Sequence, residues 1–237
     1  MAIELLEEIP SRALAIFAHP DDSDVAAGGT FARWALAGCE VFVVVCCLGD
    51  KGSSDPNENT EQLARRRWEE LRAAQEILGV TGVQQLGHKD GELENDLQFR
   101  EELVTIIRSV QPEVLICPDP TAVFFGEHYF NHRDHRAVGF GALDAAAPAA
   151  ASPLYFPGAG PPTLIEVAYM TGSLEPNVFV DIASTVETKA EAILCHQSQL
   201  GETSEWFRSV VHERAEQAGY LAGVEFAEAF RRIGLGH

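Results

Sequence analysis

Two short segments of the chain carry residue types that can do chemistry, and the first is His19-Pro20-Asp21-Asp22. Its imidazole and two carboxylates follow directly on an apolar run at residues 13–18. Taken singly, an aspartate could be the N-cap of a helix, and the histidine could satisfy a turn. Three such side chains at the end of a buried strand instead favour metal binding or acid–base catalysis.

The second segment is Asn131-His132-Arg133-Asp134-His135. Its structural interpretation is a helix start, with Asn131 as the N-cap and Asp134 as an acid in the first turn. His132 and His135 are three residues apart, so they would lie on one face of that helix. Two histidines at this spacing are common by chance, and the segment indicates a site only in combination with the first.

Together the two segments offer two histidines and a carboxylate, a donor set that suits Zn²⁺ with one coordination position left open. An open zinc site lowers the pKa of water to about 7. A further carboxylate could take the proton of that water, and a further histidine could polarise or protonate the substrate. The segments therefore predict metal-assisted hydrolysis.

The elements that must position these residues alternate along the chain. Nearly unbroken apolar runs are typical of strands buried on both faces, and strands are predicted at 13–18, 41–47, 82–86, 114–117, 164–169 and 178–180. Helices are predicted at 24–37, 60–78, 97–110, 132–147, 185–196 and 204–218. This order predicts an α/β fold, one domain over residues 1–237, with a mostly parallel sheet and helices on both faces. Ligands bind such sheets beyond the carboxyl ends of the strands, which is where the first segment lies.

Longer stretches resemble a known family. Residues 15–30, AIFAHPDDSDVAAGGT, are similar to the AHPDD(E)…GGT signature of the LmbE/PIG-L family, and residues 131–139, NHRDHRAVG, resemble its HxDH motif. Further similar segments at 65–80, 86–93 and 189–199 follow in the usual order. The resemblance implies a Rossmann-like fold and a zinc-dependent hydrolase that removes acetyl groups, commonly from substrates that contain N-acetylglucosamine.

Carried over position by position, the resemblance implies that His19, Asp22 and His135 bind the metal, for which Fe²⁺ is an alternative to Zn²⁺. It implies that Asp21 is the general base. It also implies that His132 polarises the carbonyl or protonates the leaving amine, with Asp134 orienting it.

The chain departs from the family at two positions. Ser23 stands where the family usually has glutamate, with Asp24 next, and this change leaves the ligand set intact. Phe130 stands where some members have a tyrosine that can stabilise the oxyanion, with Tyr129 beside it. A tyrosine contribution is therefore not predicted.

Arg67 interrupts the apolar stripe of the 60–78 helix, between Leu63 and Leu71. A charge there must be paired or face a ligand pocket. The spacing allows an i,i+3 pair with Glu70, whereas the matching arginine of the family contacts substrate. We predict the substrate-binding role.

Asp90 precedes Gly91, and this pair alone would indicate a plain turn. It follows the 82–86 strand at the ligand edge, however, and the similar family aspartate binds sugar hydroxyls, as an unpaired carboxylate can. We therefore predict Asp90 as a second substrate-binding residue. His196 has two open interpretations, as a histidine that complements a helix dipole or as part of the site.

The composition of the chain limits the classes of partner that it could bind. The chain has 36 Asp plus Glu against 17 Lys plus Arg, a formal charge of −19, which disfavours nucleic acid and anionic membranes. No apolar run approaches the ~20 residues that span a bilayer, and no signal peptide is expected. The five cysteines are typical of reduced residues in a protein core rather than of a disulfide framework. We predict a cytoplasmic protein whose partners are an amino-sugar substrate and further copies of itself, as a homo-oligomer.

The predicted function is zinc-dependent removal of an acetyl group from an N-acetylglucosamine-type substrate or a glucosaminide conjugate. Two alternatives stay open: an amidase that cleaves a larger acyl group from a glucosaminide conjugate, and a non-catalytic sugar- or nucleotide-binding Rossmann-like module. Residues 50–59 and 147–162 are predicted to be mobile loops that could cover the site.

Overall fold

The computed structural model describes residues 4–236. Its strands, in chain order, are β1 (Glu4–Leu5), β2 (Arg12–Phe17), β3 (Glu40–Cys47), β4 (Gly82–His88), β5 (Val114–Pro118), β6 (Phe124–Phe125), β7 (Tyr129–Phe130), β8 (Val167–Thr171), β9 (Val178–Asp181) and β10 (Ala227–Gly234). Its helices are α1 (Asp22–Leu36), α2 (Thr60–Ile77), α3 (Leu97–Val110), α4 (Arg133–Asp144), α5 (Val186–Ile193), α6 (Gln197–Leu200) and α7 (Ser204–Ala222). Every predicted strand and helix is present, with ends shifted by a few residues.

Eight strands form one sheet in the order β1-β9-β10-β8-β5-β2-β3-β4. All neighbouring pairs are parallel except those of β10, which runs antiparallel to β8 and β9. The predicted mostly parallel sheet is therefore confirmed. Side chains alternate along β2, so Ala13, Ala15 and Phe17 enter one apolar layer while Leu14 and Ile16 enter the other. Both faces are buried beneath helices, as predicted.

The antiparallel strand β10 carries a carboxylate into the core. Glu228 is 4% exposed and accepts the backbone N–H groups of Gly29 and Thr30 at 3.0 and 2.8 Å. These groups are available because α1 is kinked at Ala27, where φ is −146°. A Cβ atom on Gly29 would lie 2.8 Å from Ile182, so this glycine permits the close packing of α1 against Ile182, the residue that follows β9.

The stretch predicted as a mobile loop at 147–162 is held by the buried Arg108. Its five N–H donors lie within hydrogen-bond distance of six carbonyl oxygens, those of Ala149, Ala150, Ser152, Tyr155, Phe156 and Gly160. The start of the stretch forms a π-helical turn, Ala145–Ala150, which packs against α3 and α4. We therefore correct the prediction of a mobile cover, because one cation supplies the donors that the turn carbonyls require.

Replacing Arg108 with Met is expected to lower the free energy of unfolding by roughly 2–4 kcal/mol, because several buried carbonyls lose a charged donor. Urea unfolding measures this change. Arg100→Met is the matched control on the same helix, since the Arg100 side chain is 35% exposed and its ion-pair distance to Asp144 is long, 3.8 Å. Equal unfolding midpoints for the two variants would contradict the clamping role of Arg108.

Two further expectations concern the cysteines and the membrane. All five cysteines are free thiols, and four of them are buried, as expected of reduced core residues.

Among residues 4–236, no helix has the length and apolar character that a membrane span requires.

Candidate metal centre

The predicted site residues meet beyond the carboxyl end of β2. His19 follows this strand, Asp21 is the N-cap residue of α1, and Asp22 is the first residue of α1. The start of α4 packs against β2 and β5 and brings His132 and His135 to the same place. The central position of β2 in the sheet explains the convergence, since strands on both sides end around it.

Three side-chain atoms in this cluster are nearly equidistant. Asp22 Oδ2 lies 3.4 Å from His19 Nδ1 and 3.2 Å from His135 Nε2, and the two ring nitrogens are 3.2 Å apart. Ligand atoms on a tetrahedral zinc ion, each about 2.0–2.1 Å from the metal, are separated by about 3.3 Å. The three atoms therefore have the mutual spacing that a tetrahedral metal ion requires.

In each of the two histidines, the ring nitrogen that is not a proposed ligand atom has a hydrogen-bond acceptor beside it, as is usual for metal-binding histidines. His135 Nδ1 lies 3.1 Å from Asn131 Oδ1, which accepts its proton and leaves Nε2 free to bind. His19 Nε2 lies 3.3 Å from Asp134 Oδ2 and 3.2 Å from Asp90 Oδ1, which leaves Nδ1 free. Such hydrogen bonds fix the tautomer and raise the basicity of the ligand nitrogen.

The electrostatics of the cluster favour a cation. Burial by itself would lower the pKa of His19, but hydrogen bonds with Asp134, Asp22 and Asp90 outweigh it and raise the pKa to about 12. The carboxylates thus stabilise positive charge at this point. Asp134 Oδ1 is buried and has no hydrogen-bond partner among the described residues, which adds to the surplus of acceptors.

A second set of possible ligands lies on the other side of the His19 ring. It comprises one atom each from His19, Asp90, His132 and Asp134, within 4.8 Å of one another, and one atom each from His19, His132 and His135 meets the same limit. This limit is wider than the separation of about 3.3 Å between two ligand atoms on a tetrahedral zinc ion. Asp134 Oδ2 is moreover already used, because it accepts the N–H of Gly91 at 2.6 Å and faces Cys47 Sγ at 3.6 Å. The first set is the better fit to a metal ion.

The start of α4 differs from the prediction. His132, not Asn131, is the N-cap, and its Nδ1 accepts the N–H of Asp134 at 3.2 Å. Asn131 instead donates to the carbonyl of Ala122 and supports His135. An imidazole with a free lone pair can cap a helix as an amide oxygen does, and tertiary contacts occupy the asparagine.

Asp134 was expected to orient His132, and this expectation needs correction. Its carboxylate lies 3.3 Å from His19 Nε2 but 3.8 Å from His132 Nδ1. The backbone N–H of Gly91 holds it in that position. In the structure Asp134 therefore supports His19, while the backbone of α4 fixes the ring of His132.

Arg67 is buried and pairs with Asp21, at 2.8 Å between Nη2 and Oδ1. It also donates to the carbonyl of Gly49 at 3.0 Å, and a Cβ atom on Gly49 would lie 2.6 Å from the guanidinium. The alternative pair with Glu70 is not formed, because Glu70 accepts hydrogen bonds from the backbone and hydroxyl of Ser198. Arg67 thus reaches the site through Asp21.

Asp90 lies in the cluster but is not an unpaired carboxylate. Its contact with His19 lowers its pKa, and its backbone N–H is held by Asp50 at 3.0 Å. Lys51 donates to its carbonyl oxygen at 2.7 Å. The turn interpretation is also correct, since Gly91 has φ of +77°.

A buried polar group beneath the first turn of α1 was only partly foreseen. His196 Nε2 lies 2.6 Å from Asp24 Oδ2, and both residues are almost fully buried. Ser23 Oγ donates to Asp24 at 2.8 Å, and the Gln75 amide also donates to it. His196 therefore anchors the segment that carries Asp21 and Asp22, through a buried contact with Asp24 that corresponds to neither of its two interpretations.

A cleft of about 510 Å³ opens from this centre, within the ~300–1,000 Å³ of small-molecule pockets. Asp21, Asp22 and His135 line it. Tyr129 lines it as well, whereas the Phe130 ring packs against Phe124, with ring centroids 5.5 Å apart. Tyr129, for which no contribution was predicted, therefore does reach the cleft, because alternation along β7 points adjacent side chains to opposite faces.

Known proteins resemble this chain in sequence. The family description "PIG-L: GlcNAc-PI de-N-acetylase" matches residues 14–146. The diacetylchitobiose deacetylase of Thermococcus kodakarensis is 32% identical over 228 residues, which cover 94% of this chain and 83% of that protein. The 1D-myo-inositol 2-acetamido-2-deoxy-alpha-D-glucopyranoside deacetylase of Actinosynnema mirum is 34% identical over 151 residues, 53% of this chain and 51% of that protein. This chain thus spans about half the length of the second relative.

A solved structure is similar over nearly the whole fold. It is the N,N'-diacetylchitobiose deacetylase from Pyrococcus horikoshii in complex with its inhibitor MPG. The TM-score is 0.86 at 29% sequence identity, over 94% of this chain and 84% of the other.

Proposed function

Because the chain belongs to the PIG-L family of GlcNAc-PI de-N-acetylases, we propose that it is a metal-dependent hydrolase that removes the acetyl group from an N-acetylglucosamine-type sugar. The observation that carries this proposal is the near-equal spacing of His19 Nδ1, Asp22 Oδ2 and His135 Nε2 at the edge of a cleft. The similarity to two diacetylchitobiose deacetylases supports the acetamide as the reacting group.

His19, Asp22 and His135 are the proposed ligands, and their N₂O donor set suits Zn²⁺. Bound there, the ion would supply Lewis acidity, which polarises a carbonyl and lets water ionise near neutral pH.

Asp21 is the proposed general base. Its side chain is 31% exposed and lines the cleft, while Arg67 holds Oδ1. The second oxygen has no hydrogen-bond partner among the described residues and can take a proton from the attacking water. Water adds to the acetamide carbon, the C–N bond breaks, and the amine takes up the proton, so that acetate and a free amino sugar are released.

His132 is the proposed donor to the acetamide. Its Nδ1 accepts a backbone N–H, so the neutral ring carries its proton on Nε2. Burial lowers the pKa of His132, which favours the neutral ring. A neutral Nε2–H can polarise the carbonyl oxygen and then serve the leaving amine.

Acetate release from a panel of substrates tests this function. The panel contains N-acetylglucosamine, N,N'-diacetylchitobiose and a matched N-butyryl glucosaminide, each incubated with zinc-loaded protein. Acetate from the acetylated sugars, with slower release of butyrate, is the expected result. Faster butyrate release would favour the amidase alternative, and no acid release from any substrate would refute the hydrolase.

Replacing Arg67 with Ala is expected to lower kcat for acetate release by roughly 10–100-fold, because a misplaced base slows the reaction. Arg67→Lys should retain part of the activity, since an ammonium group can still pair with Asp21. Steady-state kinetics separate kcat from KM. A raised KM with unchanged kcat would instead support the sugar-binding role that the family resemblance implies.

A further inference from the structure

The segment at residues 189–199 has no part in the proposed reaction, although its sequence resembles the family. Its last four residues are His196-Gln197-Ser198-Gln199, at the end of α5 and in the short helix α6. Three of them contact three different elements that carry the site. Their role rests on the proposed function, because they act on the proposed ligands and base.

The first contact runs from His196 to the first turn of α1. Its Nε2 lies 2.6 Å from Oδ2 of Asp24, the third residue of α1, and the two residues are 1% and 0% exposed. Ser23 and Gln75 donate to the other oxygen of the same carboxylate. His196 Nδ1 is buried and has no hydrogen-bond partner among residues 4–236, so the contact with Asp24 is what orients the ring. The proposed ligand Asp22 begins the same helical turn and is held with it.

The second contact runs from Ser198 to α2, the helix that carries Arg67. Glu70 accepts the backbone N–H of Ser198 at 2.7 Å and its hydroxyl at 2.6 Å. Glu70 is three residues after Arg67, one helical turn away. The helix α6 is therefore fixed to the part of α2 from which Arg67 reaches the proposed base Asp21.

The third contact runs from Gln199 to the loop between β3 and α2. Gln199 Nε2 donates to the carbonyl of Gly52 at 3.1 Å and also to Ser198 Oγ at 3.2 Å. Gly49 and Gly52 enclose the guanidinium of Arg67 so closely that a Cβ atom on either would clash with it. Arg67 Nε is buried and has no hydrogen-bond partner in the described part of the chain, so these walls restrain the guanidinium where hydrogen bonds do not.

The three contacts start from neighbouring residues and end on α1, α2 and the β3–α2 loop. Catalytic groups must be held within about 0.5 Å of their productive geometry by side chains that are themselves fixed. No single one of the three elements can do this, because Asp21 and Asp22 belong to α1 while the partner of Asp21 is on α2. A common support for the three elements meets the requirement.

We propose that His196, Ser198 and Gln199 are positioning residues of the metal centre. They join α1, α2 and the β3–α2 loop into one unit, and this unit holds the proposed ligand Asp22 and the proposed base Asp21 in place.

Zinc affinity, measured by competition with a chelating indicator, tests the contact with α1 without any substrate. His196→Leu is expected to weaken zinc binding by roughly 10–100-fold, as loss of a supporting hydrogen bond around a metal site does. His196→Gln should recover most of this loss, because its amide N–H can still donate to Asp24. A histidine that only stabilised the fold would leave the zinc affinity of the folded protein unchanged.

The double variant Asp24→Asn/His196→Leu covers the case in which His196→Leu does not fold. Asparagine keeps the oxygen that accepts from Ser23 and Gln75, and it no longer leaves a buried charge without a partner. We expect the same loss of zinc affinity as in His196→Leu. Wild-type zinc affinity in whichever of the two variants folds would overturn the proposal.

Trypsin cleavage after Lys51 tests the contact with the β3–α2 loop, again without substrate. The Lys51 side chain is 46% exposed. Gln199→Met lacks the hydrogen bond to Gly52, so the loop should open more often. The fragment 1–51, followed by mass spectrometry, should therefore form roughly 2–10-fold faster than in the wild-type protein.

Gln197→Met is the matched control on the same short helix. The Gln197 amide is exposed and donates to the carbonyl of Leu194, which belongs to none of the three elements. Lys51 keeps its hydrogen bonds to the carbonyl of Asp90 and to Glu92 in both variants. The control should therefore be cleaved at the wild-type rate.

Equal cleavage rates for Gln199→Met and Gln197→Met would overturn the proposal. Weaker zinc binding in His196→Leu together with faster cleavage of Gln199→Met would support it. Neither measurement involves acetate release. A wild-type protein that released no acetate would therefore refute the proposed hydrolase without changing either result.

Discussion

Asp21→Asn is expected to lower kcat for acetate release by roughly 10²–10⁴-fold, the usual contribution of a general base. Asparagine keeps an oxygen that can accept the 2.8 Å hydrogen bond from Arg67, so the side chain should stay in place. It cannot take up a proton. Metal content should therefore remain at the wild-type level while turnover falls.

Metal analysis and steady-state kinetics on the same preparations check this expectation. Asp55→Asn is a suitable control, because Asp55 lies in the exposed 50–59 stretch and contacts only that loop. If Asp21→Asn lost its metal while Asp22→Asn retained it, the roles of the two aspartates would have to be exchanged.

His19→Ala and His135→Ala are expected to lose both the metal and the activity. Each substitution removes one of three proposed ligand atoms, and the remaining pair cannot complete a tetrahedral site. The loss of metal affinity should exceed the roughly 10–100-fold that follows when only a hydrogen-bond partner of a ligand is removed. Asn131→Ala, which leaves His135 present but unsupported, should fall in that smaller range.

His88→Ala is the matched control for these variants. His88 pairs with Glu102 at 2.8 Å and belongs to neither ligand set, so the variant should keep wild-type metal content. Metal content is measured after removal of loosely bound ions. Full metal content in both His19→Ala and His135→Ala would refute the ligand assignment.

The convergence of the two motifs could be predicted from the sequence. An apolar run buried on both faces predicts a central strand, and His19 directly follows that run. Ligand sites of parallel sheets lie at that edge, so no contact information was needed to place the first motif there. The second motif begins a helix, and the resemblance to a family supplied its pairing with the first.

Contacts between residues far apart in the chain could not be predicted. Arg67 was identified as a charge that needed a partner, but spacing along a helix offers only Glu70, whereas the observed partner Asp21 is 46 residues away. Arg108 shows the same limit. Its position four residues after the buried Val104 signals a buried charge, but no sequence pattern identifies its carbonyl partners as much as 52 residues distant.

The sequence analysis also did not predict the very short strands or the strand that mixes charged and apolar residues. The β6–β7 hairpin has two residues in each strand, too few for a hydrophobic period to be recognised. The strand β10 contains Glu228, Arg231 and Arg232, and these charged residues give it the pattern of a polar chain end rather than of a buried strand. Its acid is tolerated in the core because it pairs with the buried Lys189 and accepts N–H groups of the kinked α1, and both are tertiary features.

Metal titration of the chelator-treated protein tests the central claim most directly. Zn²⁺ is added in steps with N,N'-diacetylchitobiose present, and acetate release is measured at each step. Acetate release should be negligible without metal, rise in proportion to added Zn²⁺, and reach a plateau at about one equivalent per chain. Full acetate release by the metal-free protein, or none at any Zn²⁺ concentration, would contradict the account.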